Sequence, residues 1–315
     1  MTARVLVTGG LGYLGSIVCE HLLDAGFCVT GLDNLLYGSG QPGLYHLCAH
    51  RAFDFVRGDV RDEALMKAVL KTADVVIHLA AIVGAAACDR DPMLARSVNL
   101  QAVRLLNRLR HPGQLVIYPN TNSGYGTTSA QELCTEESPL LPISLYGRSK
   151  VEAEAVLLEK TNTITLRLAT VFGMSPRMRL DLLVNHFVHA ACKEGYLVLF
   201  EKDYKRNFVH IRDVADGMLH CIANSTRMVS KPYNLGLDEA NLSKQELALK
   251  IKAHVPGFYI HSAPIGEDPD KRNYVVSSQR LRETGFAARR SLDDGIRELL
   301  KGYAMEGRPV FRNAA

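Results

Sequence analysis

Tyr146 and Lys150 stand four residues apart in Tyr146-Gly-Arg-Ser-Lys150, the spacing that brings two side chains onto one face of a helix. An ammonium beside a phenol favours the phenolate and draws its pKa down from about 10 towards neutrality. Such a tyrosine can take a hydroxyl proton while a hydride leaves the same carbon. Lys150 is also placed to hold the ribose of a nicotinamide. Thr121 follows the apolar run Gln114–Tyr118, read as a strand. In a parallel sheet the carboxyl end of a strand faces the ligand crevice, so the Thr121 hydroxyl can reach both the tyrosine and a substrate oxygen. Ser123 competes for that role. A Tyr-x-x-x-Lys pair alone is common on solvated helix faces, and it gains chemical meaning only beside a pocket for a redox dinucleotide.

That pocket is written at the amino end. The run Arg4–Thr8 reads as a strand and leads into Gly9, Gly12 and Gly15, after which a helical pattern begins at once. Glycines there allow a tight turn, close approach of the backbone to a pyrophosphate, and packing of the helix on the strand. The first amides of the helix then face the phosphates. Asp33 ends the second strand, where a carboxylate accepts from both ribose hydroxyls and repels a 2′-phosphate, so NAD is expected over NADP. Asp59, in Gly58-Asp59-Val60, offers a carboxylate to an adenine amino group, and it also suits the cap of a helix over 62–71.

Positioning these groups requires strands that alternate with helices. Arg4–Thr8, Cys28–Leu32, Phe53–Val56, Asp74–His78, Gln114–Tyr118 and Thr163–Ala169 read as strands. Helical periodicity covers about 13–25, 62–71, 92–110 and 144–160. Continuous apolar strands separated by helices predict an α/β fold with a doubly wound parallel Rossmann sheet. After Gly173 the texture changes: Leu180–Lys193 is helical, Asn207–Ile211 returns to a strand, and Leu242–Tyr303 is mostly helical, interrupted by Gly266–Asn273. We expect a nucleotide-binding domain over 1–173, with a return segment at about 207–236. A smaller, mostly helical substrate lobe would comprise 174–206 and 237–315.

The chain has 315 residues, 47% of them hydrophobic and 22% charged, with a formal net charge of +4. No dense basic run suggests a nucleic-acid partner. The longest apolar stretch, Val75–Cys88, is interrupted by His78 and is too short to span a bilayer. The seven cysteines are scattered without a Cys-x-x-Cys pair, which predicts reduced thiols and a cytoplasmic location. No spacing calls for a metal.

The segments Thr8–Gly15, His78-Leu-Ala-Ala81, Thr121–Gly126, Tyr146…Lys150 and Arg206-Asn-Phe-Val-His210-Ile-Arg-Asp213 together resemble the extended short-chain dehydrogenase/reductase family, in its nucleotide-sugar epimerase and dehydratase branch. The resemblance spans essentially the whole chain. It implies tightly bound NAD that oxidises C4 of a nucleotide-linked sugar to a ketone, with Thr121, Tyr146 and Lys150 as the catalytic residues. It extends the cofactor set beyond the glycines, Asp33 and Asp59 to Tyr13, Leu14, Asn34, Val60, Leu79, Ala80, Ala81 and Asn99.

The loop after Thr121 narrows the reaction. The 4,6-dehydratases carry an Asp-Glu pair there, whereas this chain has Asn122-Ser123, neither of which is a strong acid or base at neutral pH. The 3,5-epimerases use a nearby cysteine, and the first one here is Cys134. Chemistry confined to C4 remains. Tyr118–Gly126, with Gly124 where most of the wider family is apolar, Ala169–Arg179 and Gly266–Arg272 are similar to a bacterial group acting on GDP-linked heptoses. That similarity implies a C4 dehydrogenase for GDP-D-glycero-manno-heptose in capsule-sugar modification, with a C4 epimerase of a GDP- or UDP-linked sugar as the alternative. The competing class is a non-catalytic NAD(H)-binding sensor, which Tyr146→Phe distinguishes.

Substrate contacts are expected from Arg206 and Arg272, whose guanidinium forks match a diphosphate. Asn185 is expected at the sugar or its phosphate, and Arg177 and Arg179 either close over the diphosphate or face solvent. Val83 and Gly84, with Ala85 and Ala86, would form a sugar wall of small side chains, while Thr121, Asn122 and Ser123 face the sugar. His210 reads as a structural hydrogen-bonding residue, and Met174 and Met178 as packing. The resemblance also implies a homodimer, paired through helices near 92–110 and 144–160 as a four-helix bundle.

Overall fold

The central strands of the main sheet carry apolar residues on both faces. In a computed structural model that describes residues 2–37, 42–128, 133–263 and 272–305, seven parallel strands form it: β1 (Arg4–Thr8), β2 (Cys28–Asp33), β3 (Phe53–Arg57), β4 (Val75–His78), β5 (Leu115–Thr121), β6 (Thr163–Leu168) and β7 (Lys231–Leu235). Their spatial order is β7-β6-β5-β4-β1-β2-β3. Val5, Val7, Ile77 and Ile117 pack in one apolar cluster with the helices Tyr13–Asp24 and Ile211–Ala223. Leu6, Val76 and Val116 point the other way, into a cluster with Leu106 and Leu157. Residues on alternate sides of one strand therefore feed two cores, which is why these strands read as unbroken apolar runs.

The order reverses between β1 and β4, and the carboxyl ends of both strands open there, the place where doubly wound sheets bind ligands. A third apolar cluster, with Phe172, Val184, Phe208, Phe258 and Tyr303, lies outside this sheet. It draws on the helices Leu183–Lys193, Lys244–His254 and Leu292–Met305.

Several local details depart from expectation. The helix expected over 92–110 starts at Pro92, capped by the Asp91 carboxylate on the Leu94 amide. It is interrupted by a π-helical turn, Ser97–Gln101. The helix Glu63–Leu70 is capped by Asp62, which accepts from the Leu65 amide at 3.1 Å, so Asp59 is released from that duty. The tail is less helical than expected: Tyr259–Ser262 pairs in parallel with Tyr196–Leu199, and Val275–Val276 with Leu133–Cys134. Most of Gly266–Asn273 lies outside the described residues, of which Arg272 and Asn273 are within.

Candidate active site

β1 ends in a turn that tolerates no side chains at two of its glycines. Gly9 stands at φ +69°, and a Cβ there would come 2.8 Å from the Ala80 backbone nitrogen. A Cβ on Gly15 would come 2.0 Å from the Gly9 carbonyl oxygen. The turn therefore closes on β4 and on the helix Tyr13–Asp24 only as bare backbone, leaving that helix's amino end open to a phosphate. Asp33 ties the turn to β2, accepting from the Leu11 amide at 3.1 Å and the Leu35 amide at 2.8 Å. A glycine cradle with a carboxylate at the end of β2 fits the dinucleotide expected from the sequence.

Asp59 accepts from Arg61 Nε at 2.8 Å, from its Nη2 at 2.7 Å and from Asn34 Nδ2 at 3.1 Å. The hydrogen bonds from Arg61 hold its carboxyl down to about 2. All of the cofactor residues expected from the sequence, except Asn99, line one cleft of about 880 Å³. Asn99 sits behind it in the π-helical turn, 1% exposed. Its side chain grips the main chain of Ile82, accepting from the amide at 2.8 Å and donating to the carbonyl at 2.9 Å. Asn99 thus shapes the wall that Ile82 presents, and it differs from the expected cofactor contact because both ends of its amide are spent on backbone.

The same cleft is also lined by Thr121, Tyr146 and Lys150. Ser144 caps the helix Leu145–Leu158 by accepting from the Gly147 amide at 3.0 Å, which starts the helix one residue before Tyr146. Lys150 is buried, with Nζ 3.8 Å from the centroid of the Tyr118 ring. Burial pulls its pKa down to about 7, against the charge of Glu154, which favours the ammonium. The Tyr146 phenol differs from expectation: burial pushes it up to about 12, and the cations drawing it down are Arg179 and Arg272 rather than Lys150. The side chain keeps some surface in the cleft, yet protein packed around it disfavours the phenolate.

Thr121 is the last residue of β5, and its Oγ1 lies 2.9 Å from Ser123 Oγ while accepting from the Ser123 amide at 3.1 Å. Arg272 donates to that same Ser123 hydroxyl. The two candidates for the hydroxyl role are therefore hydrogen-bonded to each other, with Thr121 nearer the sheet.

Of the expected substrate residues, Val83, Gly84, Thr121, Ser123, Arg179 and Arg272 line the cleft. Asn122, Asn185 and Arg206 are not among its lining residues. Asn122 is 1% exposed, turned inward by the short 3₁₀ turn Asn122–Tyr125. Asn185 is fully buried and spends its amide on Gly173, Tyr13 and Arg179. Arg206 is buried behind the cleft-lining Tyr274, its guanidinium 5.7 Å from that ring.

Arg177, expected from the sequence, also lines the cleft, and the structure adds lining residues that sequence reasoning missed, among them Tyr37 and Asp181. Arg177 lies over the Tyr37 ring at 4.4 Å, joining the loop after Gly173 to the turn after β2. Asp181 pairs with Arg179 and also lines the cleft. The Arg179-Leu-Asp181 spacing is a signal that could have suggested the second pair, whereas nothing in the sequence links 37 to 177. Among the described residues no group of His, Cys, Asp and Glu is placed to hold a metal ion, and no helix is long and apolar enough to cross a membrane. No disulfide links any of the seven cysteines.

Fold and site together define a dinucleotide-binding α/β enzyme, with Tyr146 and Lys150 facing the cofactor cleft. The chain belongs to the NAD dependent epimerase/dehydratase family, whose family model matches residues 5–236. It is 29% identical over 265 residues to an uncharacterized UDP-glucose epimerase, YtcB, of Bacillus subtilis (strain 168), covering 79% of each chain. It is also 29% identical to a dTDP-glucose 4,6-dehydratase of Streptomyces griseus, covering 96% of this chain and 94% of the relative. The solved UDP-glucose 4-epimerase of Thermus thermophilus, in complex with NAD, superposes with a TM-score of 0.81 at 25% identity, covering 96% of this chain and 99% of that one.

Proposed function

We propose that this enzyme uses NAD to oxidise C4 of a nucleotide-linked sugar, GDP-D-glycero-manno-heptose, to the 4-keto sugar. The observation that carries the reading is the placing of Thr121, Tyr146 and Lys150 on one wall of the cleft whose other end is the glycine cradle. NAD+ supplies the hydride acceptor when bound. As the phenolate, Tyr146 Oη takes the proton of the C4 hydroxyl and becomes the neutral phenol, and the Lys150 ammonium stabilises the phenolate before the transfer. Arg179 and Arg272 lower the phenol from the value that burial imposes, as would the positive ring of NAD+ when bound. Thr121 Oγ1, oriented by Ser123, holds the sugar oxygen. Arg272 and Arg179 face the same space and suit a diphosphate, and the small side chains from Val83 to Ala87 leave room for a seven-carbon sugar.

Chemistry limited to C4 is supported by where the acids lie. The acidic residues lining the cleft, among those described, are Asp33 and Asp59 at the cradle end and Asp181, paired with Arg179. The two positions after Thr121 hold Asn122 and Ser123, so a dehydratase's acid and base are missing there. The identity of the base and sugar rests on the resemblance of Tyr118–Gly126 and Ala169–Arg179 to the GDP-heptose group. The UDP-glucose 4-epimerases among the relatives favour a second reading, in which the 4-keto sugar turns in the cleft and takes the hydride back on its other face. The same reading takes 174–206 and 237–315 as the substrate lobe. It includes a cytoplasmic homodimer, paired through the helices within 92–109 and Leu145–Leu158.

The test supplies GDP-manno-heptose to purified protein without added cofactor and follows the sugar by NMR alongside NADH absorbance. A 4-keto product with one equivalent of enzyme-bound NADH supports the dehydrogenase. Inversion at C4 over many turnovers without net NADH replaces it with the epimerase. No change in either signal, with UDP- and dTDP-sugars active instead, overturns the GDP-heptose assignment.

A further inference from the structure

Glu154 follows Lys150 by one helical turn and Tyr146 by two, on the face of Leu145–Leu158 that carries both. It is 2% exposed, and its carboxylate is surrounded by donors. Oε1 accepts from Arg167 Nη2 at 2.8 Å and Nε at 3.0 Å, while Oε2 accepts from Thr165 Oγ1 and from Asn120 Nδ2, each at 2.8 Å. The Arg167 end is itself fixed, donating to the Glu136 carbonyl at 3.1 Å and to the Tyr125 hydroxyl at 3.2 Å.

The contact with Asn120 takes this ion pair towards the site. Asn120 is 3% exposed, and its Oδ1 accepts from the Thr121 amide at 2.8 Å. Its side-chain amide therefore has one end on the helix that bears Tyr146 and Lys150 and the other on the residue that bears the hydroxyl. An ion pair serving only to dock helix on sheet is complete with Arg167 and Thr165. The Asn120 link adds direction: hydrogen bonds fix distance and angle, which apolar packing between the same elements does not.

We propose that Glu154 is a positioning residue, which sets Thr121 against the Tyr146–Lys150 face through Asn120. The proposal rests on the reading of those three residues as the proton-handling group. Glu154 also supplies the main charge that favours the ammonium of Lys150. One carboxylate thus acts on two members of the group, on one by geometry and on the other by its field.

Asn120→Ala is the decisive variant because it cuts the link and leaves the Glu154–Arg167–Thr165 contacts in place, whereas Glu154→Gln risks the fold by leaving Arg167 buried without its counter-ion. Two readouts are taken on the full chain: hydrogen exchange of the Thr121 amide, and kcat with the nucleotide sugar that the wild type turns over. Asn120→Ala is expected to speed Thr121 exchange by about tenfold or more while the amides of β1 and β4 stay protected. It is expected to lower kcat on the order of 10- to 100-fold, with KM and bound NAD near wild type and a melting temperature lowered by a few degrees, because the Thr121 amide loses its acceptor. Unchanged Thr121 exchange overturns the proposal, as does faster exchange with wild-type kcat. If the wild type turns over no nucleotide sugar, the functional reading falls, and Thr121 exchange still decides whether Glu154 holds Thr121 through Asn120.

Discussion

The Asn185 side chain donates to the Tyr13 hydroxyl at 3.1 Å, across 172 residues of chain. Tyr13 in turn donates to the Gly173 carbonyl at 2.7 Å, and Asn185 accepts from the Gly173 amide at 3.1 Å. The first turn of the cofactor helix is thereby bolted to the loop that carries Arg177 and Arg179. Ser175 adds a second bolt, donating to the Tyr13 carbonyl at 2.7 Å.

Asn185 therefore acts as a strut, and its replacement should be felt in stability before affinity. Asn185→Ala leaves the Gly173 amide and the Arg179 carbonyl buried without their partner, at a cost of about 2–3 kcal/mol. A melting temperature several degrees lower is expected, with KM for the sugar little changed. Thermal unfolding beside KM for the nucleotide sugar checks this. A large rise in KM at unchanged melting temperature would instead return Asn185 to the substrate.

Tyr146→Phe removes the proposed proton acceptor and little else. Its turnover should fall by about 10²- to 10⁴-fold, the usual contribution of a positioned acid or base. Bound dinucleotide, measured after extraction from the purified variant, should match wild type, since the glycine cradle and Asp33 are untouched. Turnover near wild type would pass the proton to another group, with the Thr121–Ser123 pair the first candidate.

Lys150 predicts the shape of the pH profile. The groups around it are Glu154 on its own helix, Cys88 on Ala85–Arg90, His78 on β4 and the Tyr118 ring on β5. Burial holds His78 down to about 3, so it stays neutral across the working range. Lys150, held down to about 7, is cationic below that pH and neutral above it. Activity that needs its charge should fall as pH rises through about 7. Weakening the counter-charge in Glu154→Gln makes the ammonium harder to keep, so the alkaline fall should move to lower pH. A profile of kcat at saturating substrate reads both effects, and a variant profile displaced to higher pH contradicts the assignment.

Much of this architecture is legible in the residues because Val5–Val7 of β1, Val75–Ile77 of β4 and Leu115–Tyr118 of β5 are buried on both faces, which favours unbroken apolar runs. β7 is hidden for the opposite reason. It is an edge strand, where Pro232 and the exposed Lys231 are tolerated, so its Lys-Pro-Tyr-Asn-Leu carries no apolar run to mark it as a strand. The glycine cradle and the Tyr146–Lys150 face are local in sequence and can be read from spacing. The π-helical turn at Asn99 leaves no periodic trace, and the hydrogen bonds it makes to the Ile82 main chain come from outside its own helix. Burial of individual polar residues is equally non-local. Asn185 and Arg206 are of the right type for a phosphate and stand in the right segments, but tertiary contacts turn both into the interior.

Arg272 and Arg206 give the sharpest contrast between residue type and place. Both are guanidinium groups expected at the diphosphate, but Arg272 lines the cleft and touches Ser123, while Arg206 is 4% exposed and donates to the Lys205 carbonyl at 3.0 Å. A charge-assisted hydrogen bond to a ligand contributes about 1.5–3 kcal/mol, so Arg272→Ala should weaken binding of the nucleotide diphosphate by about 10- to 100-fold. Its melting temperature without ligand should hardly move. Arg206→Ala should reverse the pattern: it removes a buried side chain from behind Tyr274, so stability falls first and affinity follows only as far as that ring shifts. Calorimetric titration of each variant with GDP, paired with its unfolding curve, separates the two. Equal losses of affinity at wild-type stability would mean that the cleft rearranges on binding to bring Arg206 to the phosphates.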